Sequence, residues 1–142
     1  MQLNKKILLL FLLACYSFSS CQKRGEQIKL SQYMVEGTTV YQNHCANCHT
    51  NDGTGLANVI PPLKNSDYLM TLSDHDLACQ IKTGLSDSIY VNGILFYQQM
   101  PASESLTYLE IAEVVTYVNN TWGRKDGLYG VRQAEKDLSE CN

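Results

Sequence analysis

An all-α fold is what this chain predicts, and three observations carry the prediction. Residues 31–44 and 107–121 place apolar side chains at three- and four-residue spacing, the period of an α-helix. A third stretch, 74–83, is bounded by a helix start signal and a helix stop signal. Residues suited to strands gather only between Ser88 and Phe96. At 142 residues there is room for one domain, and no internal repeat or low-complexity tract suggests a solenoid or propeller.

The first twenty residues read as an export signal rather than as part of the fold. Lys5 and Lys6 supply positive charge, and Ile7 to Ala14 is an eight-residue apolar run. A bilayer span needs about 20 apolar residues, so this run suits a signal core instead. Ser17, Ser19 and Ser20 then lead into Cys21, an ending that resembles the lipobox of bacterial lipoproteins. Phe18 stands where that motif usually has leucine, and Cys15 is a second candidate that would leave a very short signal. Residues 1–20 are therefore expected to be a lipoprotein signal peptide, with Cys21 acylated. The competing reading is an ordinary cleaved signal with an incidental cysteine. Polar residues 21–30 are expected to form a tether, 31–123 the folded domain and 124–142 a C-terminal tail.

Within the domain, Ser31 to His44 predicts a first helix with Tyr33, Met34, Gly37, Val40 and Tyr41 on one side. A mid-helix glycine costs about 1 kcal/mol relative to alanine, so Gly37 calls for a reason such as close helix–helix contact. Asn51-Asp52-Gly53-Thr54-Gly55 is a run of turn residues, and Pro61-Pro62 excludes helix there. Ser66-Asp67 precedes a short helix at Tyr68-Leu69-Met70. Ser73 with Asp76 forms a capping box for a helix over Asp74–Thr83, which Gly84 ends. Asn92-Gly93 predicts a small hairpin. Thr107 to Thr121 has the clearest helical pattern, with Leu109, Ala112, Val114, Val115, Tyr117 and Val118 as its apolar face, and Gly123 terminates it. A short helix over Val131–Leu138 fits the polar tail.

Six cysteines stand at 15, 21, 45, 48, 79 and 141. After the signal, the lipid candidate and the Cys45–Cys48 pair, Cys79 and Cys141 remain. In an oxidising compartment they would bridge and pin the tail; otherwise Cys79 is a small buried hydrophobe and Cys141 frays. The sequence leaves both readings open.

The chemistry is concentrated in Cys45-Ala46-Asn47-Cys48-His49. Two residues between cysteines put both thiols on one side of a helical turn, where they reach the two vinyl groups of one porphyrin edge. The adjacent histidine then turns its imidazole onto the iron. A thioredoxin-like pair would follow a strand and open a helix, whereas this pair closes one. A zinc site needs a second Cys/His pair, and only His44 and His75 remain. One haem c per chain, held by Cys45, Cys48 and His49, is the expected cofactor. For the other axial position Met100 stands out, in the irregular run Gln98-Gln99-Met100-Pro101-Ala102. Met34 and Met70 sit in helical apolar patterns and suit core filling. His44 is too near the attachment site to reach the opposite haem face, and His75 reads as a solvated residue of a helix's first turn.

Over residues 34–123 these features resemble class I (monohaem) bacterial cytochromes c. Gly37-x-x-x-Tyr41-x-x-x-Cys45-x-x-Cys48-His49 is similar to the family's first helix, in which a glycine and an aromatic pack against the last helix. Asn51-Asp52-Gly53-x-Gly55 resembles its loop after the haem site. Ile60-Pro61-Pro62-Leu63 resembles the segment whose proline carbonyl accepts a hydrogen bond from the proximal histidine. That implies this role for Pro61 and a place against the haem for Leu63. Val91-Asn92-Gly93 followed by Met100-Pro101-Ala102 resembles the segment that supplies the axial methionine, although the spacing is longer than a tight turn. The ending Asn119-Asn120-Thr121-Trp122-Gly123 is similar to that of cytochrome domains attached to terminal oxidases, copper nitrite reductases and alcohol dehydrogenases. The tail beyond Gly123 exceeds what the family core needs. The resemblance implies the class I fold, with N- and C-terminal helices packed around one covalent haem.

The expected function is therefore single-electron transfer in a respiratory chain outside the cytoplasm, through a haem closed by His49 and Met100. An enzyme is not expected, because a six-coordinate iron has no position for substrate. The alternatives are a cytochrome subunit of a larger oxidoreductase, and an open-haem enzyme or gas sensor. Without the first twenty residues the chain has nine basic against fourteen acidic residues, a net −5, and haem propionates add to it. Such a surface argues against nucleic acid as a partner. The expected partners are redox proteins (a terminal oxidase, reductase or dehydrogenase) and, through the lipid on Cys21, a membrane. The expected location is the periplasmic side of a bacterial cell envelope.

Overall fold

The computed structural model describes the backbone of residues 3–141 and the side chains of residues 24–141. Cys15 and Cys21, and with them the proposed acylation, lie outside the described side chains. Six helices and one two-stranded hairpin make up the described residues, so the all-α expectation holds apart from the hairpin.

The first helix, α1, runs over Leu3–His44. It begins well upstream of Ser31, and the segment read as a tether is helical. Glu26, Gln27, Lys29 and Leu30 are all good helix formers, and no proline interrupts them. Among the described residues no helix is long and apolar enough to cross a membrane. α2 (Ala46–His49) is a single turn, and α3 (Asp67–Thr71) and α4 (Asp74–Thr83) follow. Strands β1 (Ile89–Val91) and β2 (Ile94–Phe96) pair antiparallel, with Val91 opposite Ile94. Asn92 and Gly93 both have positive φ, 52° and 79°, as a two-residue turn matching strand twist requires. α5 (Tyr108–Thr121) and α6 (Val131–Ser139) complete the chain.

The core lies where α1 meets α5. Tyr33, Val40 and Tyr41 bury one face of α1, while Ile111, Val114, Val115 and Val118 bury one face of α5. Gly37 explains how the two approach. A Cβ at this position would overlap the Glu113 carbonyl oxygen and lie 2.7 Å from Tyr117 Cβ. Only a glycine lets the backbones come this close. Tyr41, Tyr117 and Trp122 then meet in one aromatic cluster, with ring centroids 5.1–5.5 Å apart. Leu109, expected on the buried face of α5, is exposed instead, and Ile111 is fully buried. Leu109 stands in the first turn of α5, ahead of the stretch from Ile111 to Thr116 that is buried on all sides.

Both capped helices form as their sequences predict. Ser73 Oγ accepts from the Asp76 amide at 3.1 Å and Asp76 accepts from the Ser73 amide at 3.3 Å. Thr107 and Glu110 repeat this reciprocal pair at the start of α5, at 3.3 and 2.8 Å.

The tail is part of the fold. α6 packs on α4 and α5, burying Tyr129 and Ala134. Tyr129 donates its hydroxyl to the buried Asp137 carboxylate at 2.8 Å, and its amide donates to Thr116 Oγ1 at 3.1 Å. Cys79 and Cys141 form a disulfide with their Cα atoms 5.6 Å apart, so the bridging alternative is the one realised. A bridge across 62 residues stabilises by about 2–4 kcal/mol, chiefly by restricting the unfolded chain. His75 is not the freely solvated residue expected. It is half-buried, with Nδ1 3.8 Å from Asp137, because α6 covers that side of α4. Met70 also departs from expectation: it is exposed on α3 rather than filling the core.

Two outcomes follow from these contacts. Gly37→Ala is expected to cost about 3 kcal/mol, the upper end for forcing a methyl into a packed interface, measured by thermal unfolding against wild type. Thr107→Ala should cost about 1 kcal/mol through the lost cap. The Thr107 hydrogen bonds hold Glu110 below its usual pKa of 4.5. Their stabilisation is therefore present above that pH and is lost as pH falls through the depressed folded value. Acid titration of unfolding should show this loss in wild type, and a smaller one in T107A.

Candidate haem site

A single helical turn assembles the attachment residues. The amides of Cys48 and His49 both donate to the Cys45 carbonyl, at 3.1 and 2.9 Å, and the Thr50 amide donates to Ala46 at 2.9 Å. Cys45 and Cys48, three residues apart, thus share one side of the turn. Thr50 breaks it with φ 64°, and Tyr41 donates its hydroxyl to the Thr50 carbonyl at 2.7 Å, satisfying an acceptor at the helix end. Burial, then the neighbouring Cys48, pushes the Cys45 thiol up to about 11. A redox-active Cys-x-x-Cys pair needs a lowered thiol instead, which argues against thioredoxin-like use.

The following loop orients His49. Asp52 accepts from the hydroxyls of Thr50 and Thr54, each at 2.8 Å, which folds residues 50–54 into a tight turn. Those bonds hold the Asp52 carboxyl below its usual value. Gly53 lies under Trp122, where a Cβ would sit 2.7 Å from the indole ring. Its carbonyl accepts from the amides of Leu63 and Lys64 at 2.8 and 2.9 Å, which draws the chain back past Pro61. Gly55 is closer still: a Cβ there would overlap the Ile60 carbonyl oxygen and come within 2.7 Å of the Pro61 oxygen. The result is a Pro61 carbonyl 3.1 Å from His49 Nδ1. With Nδ1–H donating there, Nε2 keeps its lone pair for a metal. Burial lowers the His49 pKa, against the Pro61 hydrogen bond that raises it, so the imidazole is neutral at pH 7, as a ligand must be.

Cys45, Cys48, His49, Pro61, Leu63 and Met100 all line one cleft with about 980 Å³ of empty space, solvent at its mouth included. The structure therefore brings together every residue that the sequence singled out for haem. His44 lies outside the cleft and is exposed, while Met34 and Met70 are likewise absent from its walls. Met100 is set by a reciprocal pair with Leu85: the Leu85 amide donates to the Met100 carbonyl at 2.9 Å and the Met100 amide donates back at 3.0 Å. The remaining walls are mostly apolar, from Leu69, Ile81, Val91, Val114 and Val118. Two thiols, a neutral imidazole and a thioether around an apolar slot fit a flat iron porphyrin attached at one edge. Among the described residues no three His, Cys, Asp or Glu side chains come together to hold a bare metal ion.

Sequence reasoning missed the polar fitting of this cleft. Gln80 Nε2 donates to the Tyr68 hydroxyl at 2.8 Å, and both residues line the walls. Nothing in the local sequence links two residues twelve apart in different helices. The sequence marks Tyr41 as a packing aromatic, and its place four residues before Cys45 is the signal that it also faces the site.

Fold and site together define a covalent haem protein built on a helix pair. The chain belongs to the cytochrome c family, whose pattern, described as "Cytochrome c", matches residues 34–122. Haem c is its cofactor, at one attachment motif per chain, and one-electron transfer is the chemistry that goes with it. The chain is similar to the cytochrome c subunit of alcohol dehydrogenase (quinone) from Gluconacetobacter polyoxogenes and from Komagataeibacter europaeus. Each is 35% identical over 94 residues, covering 64% of this chain and 19% of the relative. The same subunit from Gluconobacter oxydans (strain 621H) is 32% identical over 95 residues, covering 61% of this chain and 18% of the relative. The chain thus spans about a fifth of the length of the curated relatives it matches.

The tight approach at Gly55 yields a direct test. Gly55→Ala should push the Pro61 carbonyl away from His49 and cost about 2 kcal/mol, a typical overpacking penalty. Thermal unfolding of the haem-loaded protein measures it against Gly93→Ala, which shares the positive φ (79° against 69° at Gly55) but whose Cβ meets nothing within 4 Å, so the difference between the two isolates the overpacking.

Proposed function

We propose that this protein is a closed-haem carrier of single electrons, not itself an enzyme, working at the periplasmic face of a bacterial membrane. The observation that carries the reading is the joint placement of His49 and Met100 on one apolar cleft. Bound haem c supplies a one-electron iron couple, and with two protein ligands it leaves no position open for substrate. The chain's own part is to bind and to exclude water. Cys45 and Cys48 attach the group, and Pro61 fixes the ring of His49. Met100 supplies a thioether, which favours the reduced metal. The apolar walls keep the site at low dielectric, and reorganisation on electron transfer is small when both ligands stay in place.

The relatives support a dehydrogenase as electron donor, because those proteins are cytochrome c subunits of alcohol dehydrogenase (quinone). They equally favour a second reading, in which this chain is a subunit of a larger oxidoreductase. Acylation at Cys21 would serve both, since the several acyl chains of a bacterial lipoprotein hold a protein at a membrane where one alone does not.

Carbon monoxide discriminates the closed carrier from an open-haem enzyme or sensor. The reduced wild-type spectrum is expected to stay unchanged on adding the gas, and Met100→Ala to shift at once; ready binding by wild type overturns the reading. Intact-mass measurement of the exported protein is expected to give a chain beginning at acylated Cys21 with one haem. A mature chain starting elsewhere removes the anchor.

A further inference from the structure

The C-terminal tail has a place in the structure that the haem fold itself does not call for. It holds α4 from behind, and α4 in turn holds Met100. On the outer side, the first turn of α4 meets the tail twice: Asp74 accepts from Arg124 at 3.0 Å, and His75 stands 3.8 Å from Asp137. One turn further on, Cys79 is bonded to Cys141. Asp137 is itself fixed by Tyr129 at 2.8 Å and Gln133 at 2.7 Å.

On the other side, α4 faces the cleft with Leu77, Gln80 and Ile81. Its last residues grip the segment that carries Met100. The Ile81 carbonyl accepts from the Ser103 amide at 3.0 Å, and Lys82 donates to the carbonyls of Glu104 and Leu106 at 2.9 and 3.2 Å. Leu85, just past Gly84, makes the reciprocal pair with Met100. Gly84 allows this closeness, since a Cβ there would lie 2.6 Å from the Met100 oxygen. Residues 97–107 contain no helix or strand, so Met100 has little local structure of its own to hold it. α4 has only ten residues, too few to be stable alone. Its position depends on what packs on both sides.

We propose that the Cys79–Cys141 bridge and the Asp137 contacts form a clamp that positions α4, and through it Met100, as a distal haem ligand. Cys79, Cys141 and Asp137 are positioning residues that touch neither the haem cleft nor its ligands. The proposal rests on the closed-haem reading only for the word ligand; the mechanical link from tail to Met100 stands without it.

Opening the clamp tests the link. Cys141→Ser removes the bridge. Dithiothreitol on the folded haem-loaded protein opens it by a second route: the dithiol gives up two electrons and two protons and closes to its own ring disulfide. Because it reduces haem iron as well, the freed thiols are capped with iodoacetamide, the dithiol is removed and the iron is returned to the ferric state with ferricyanide, so that all samples are compared as ferric protein. The thioethers at Cys45 and Cys48 do not react. Because losing a bridge also lowers global stability, the comparison is Val115→Ala, a fully buried α5 residue that neither lines the cleft nor bonds to the clamp, with temperature adjusted to equal overall stability. Hydrogen exchange should then show the Leu85 and Met100 amides opening about tenfold faster in C141S and in the reduced protein than in V115A, as a local rather than a global event. Added imidazole should displace the distal ligand at about tenfold lower concentration in the same two samples. Equal exchange at Leu85 and Met100 in C141S and V115A overturns the proposal, whatever the imidazole result. If carbon monoxide binds wild type readily, the closed-haem reading fails by itself, and the exchange comparison still decides the clamp.

Discussion

The approach of α1 to α5 at Gly37 sets the geometry on which the rest depends. Two helices normally pack 8–10 Å apart, and a methyl at this point would overlap the Glu113 carbonyl. Closing that gap lets Tyr41 reach both Tyr117 and Trp122. Tyr41 then caps the end of α2, while Trp122 lies over Gly53 and seats the loop behind the haem site. One missing Cβ therefore coordinates the attachment turn, the proximal loop and the last helix. The loss of helix propensity at a glycine, about 1 kcal/mol, is small beside the burial of Ile111, Val114, Val115 and Val118 that the contact permits.

The two faces of the cleft are built by different means. The proximal face is local: Cys45, Cys48, His49 and Pro61 lie within seventeen residues and are organised by backbone hydrogen bonds and two tight glycines. The distal face is assembled from a distance. Met100 takes its position from Leu85 and α4, and α4 takes its own from α5 and the tail. A ligand held locally persists as long as its turn persists. One held through a short helix and an irregular segment is the more mobile of the two, and a covalent bridge behind that helix offsets the difference.

Most of the fold was legible in the sequence because its signals are local. The capping boxes at Ser73 and Thr107, the Asn92-Gly93 turn and the stop at Gly84 all form where the residue types place them. The upstream start of α1 is a matter of local helix propensity, while the other misreadings share a different origin. The exposure of Leu109 and Met70 and the covering of His75 depend on which face of each element meets another, and a helical pattern fixes that face only to within a residue or two. The tail shows this most clearly. Its polar composition suggested an appendage, yet Tyr129, Ala134 and Asp137 are buried because Thr116, α4 and α5 offer them partners.

For the site, the sequence by itself determined the chemistry: a Cys-x-x-Cys-His turn brings two thiols and an imidazole together through covalent spacing and one helical turn, wherever the rest of the chain goes. Tertiary structure decided everything that spacing does not control. It selected Met100 over Met34 and Met70 by placing only that thioether on the cleft, and it brought the Pro61 oxygen to His49. It also joined Cys79 to Cys141 across 62 residues. Each of these is a contact between segments distant along the chain, and such contacts form only after the helices have closed on one another.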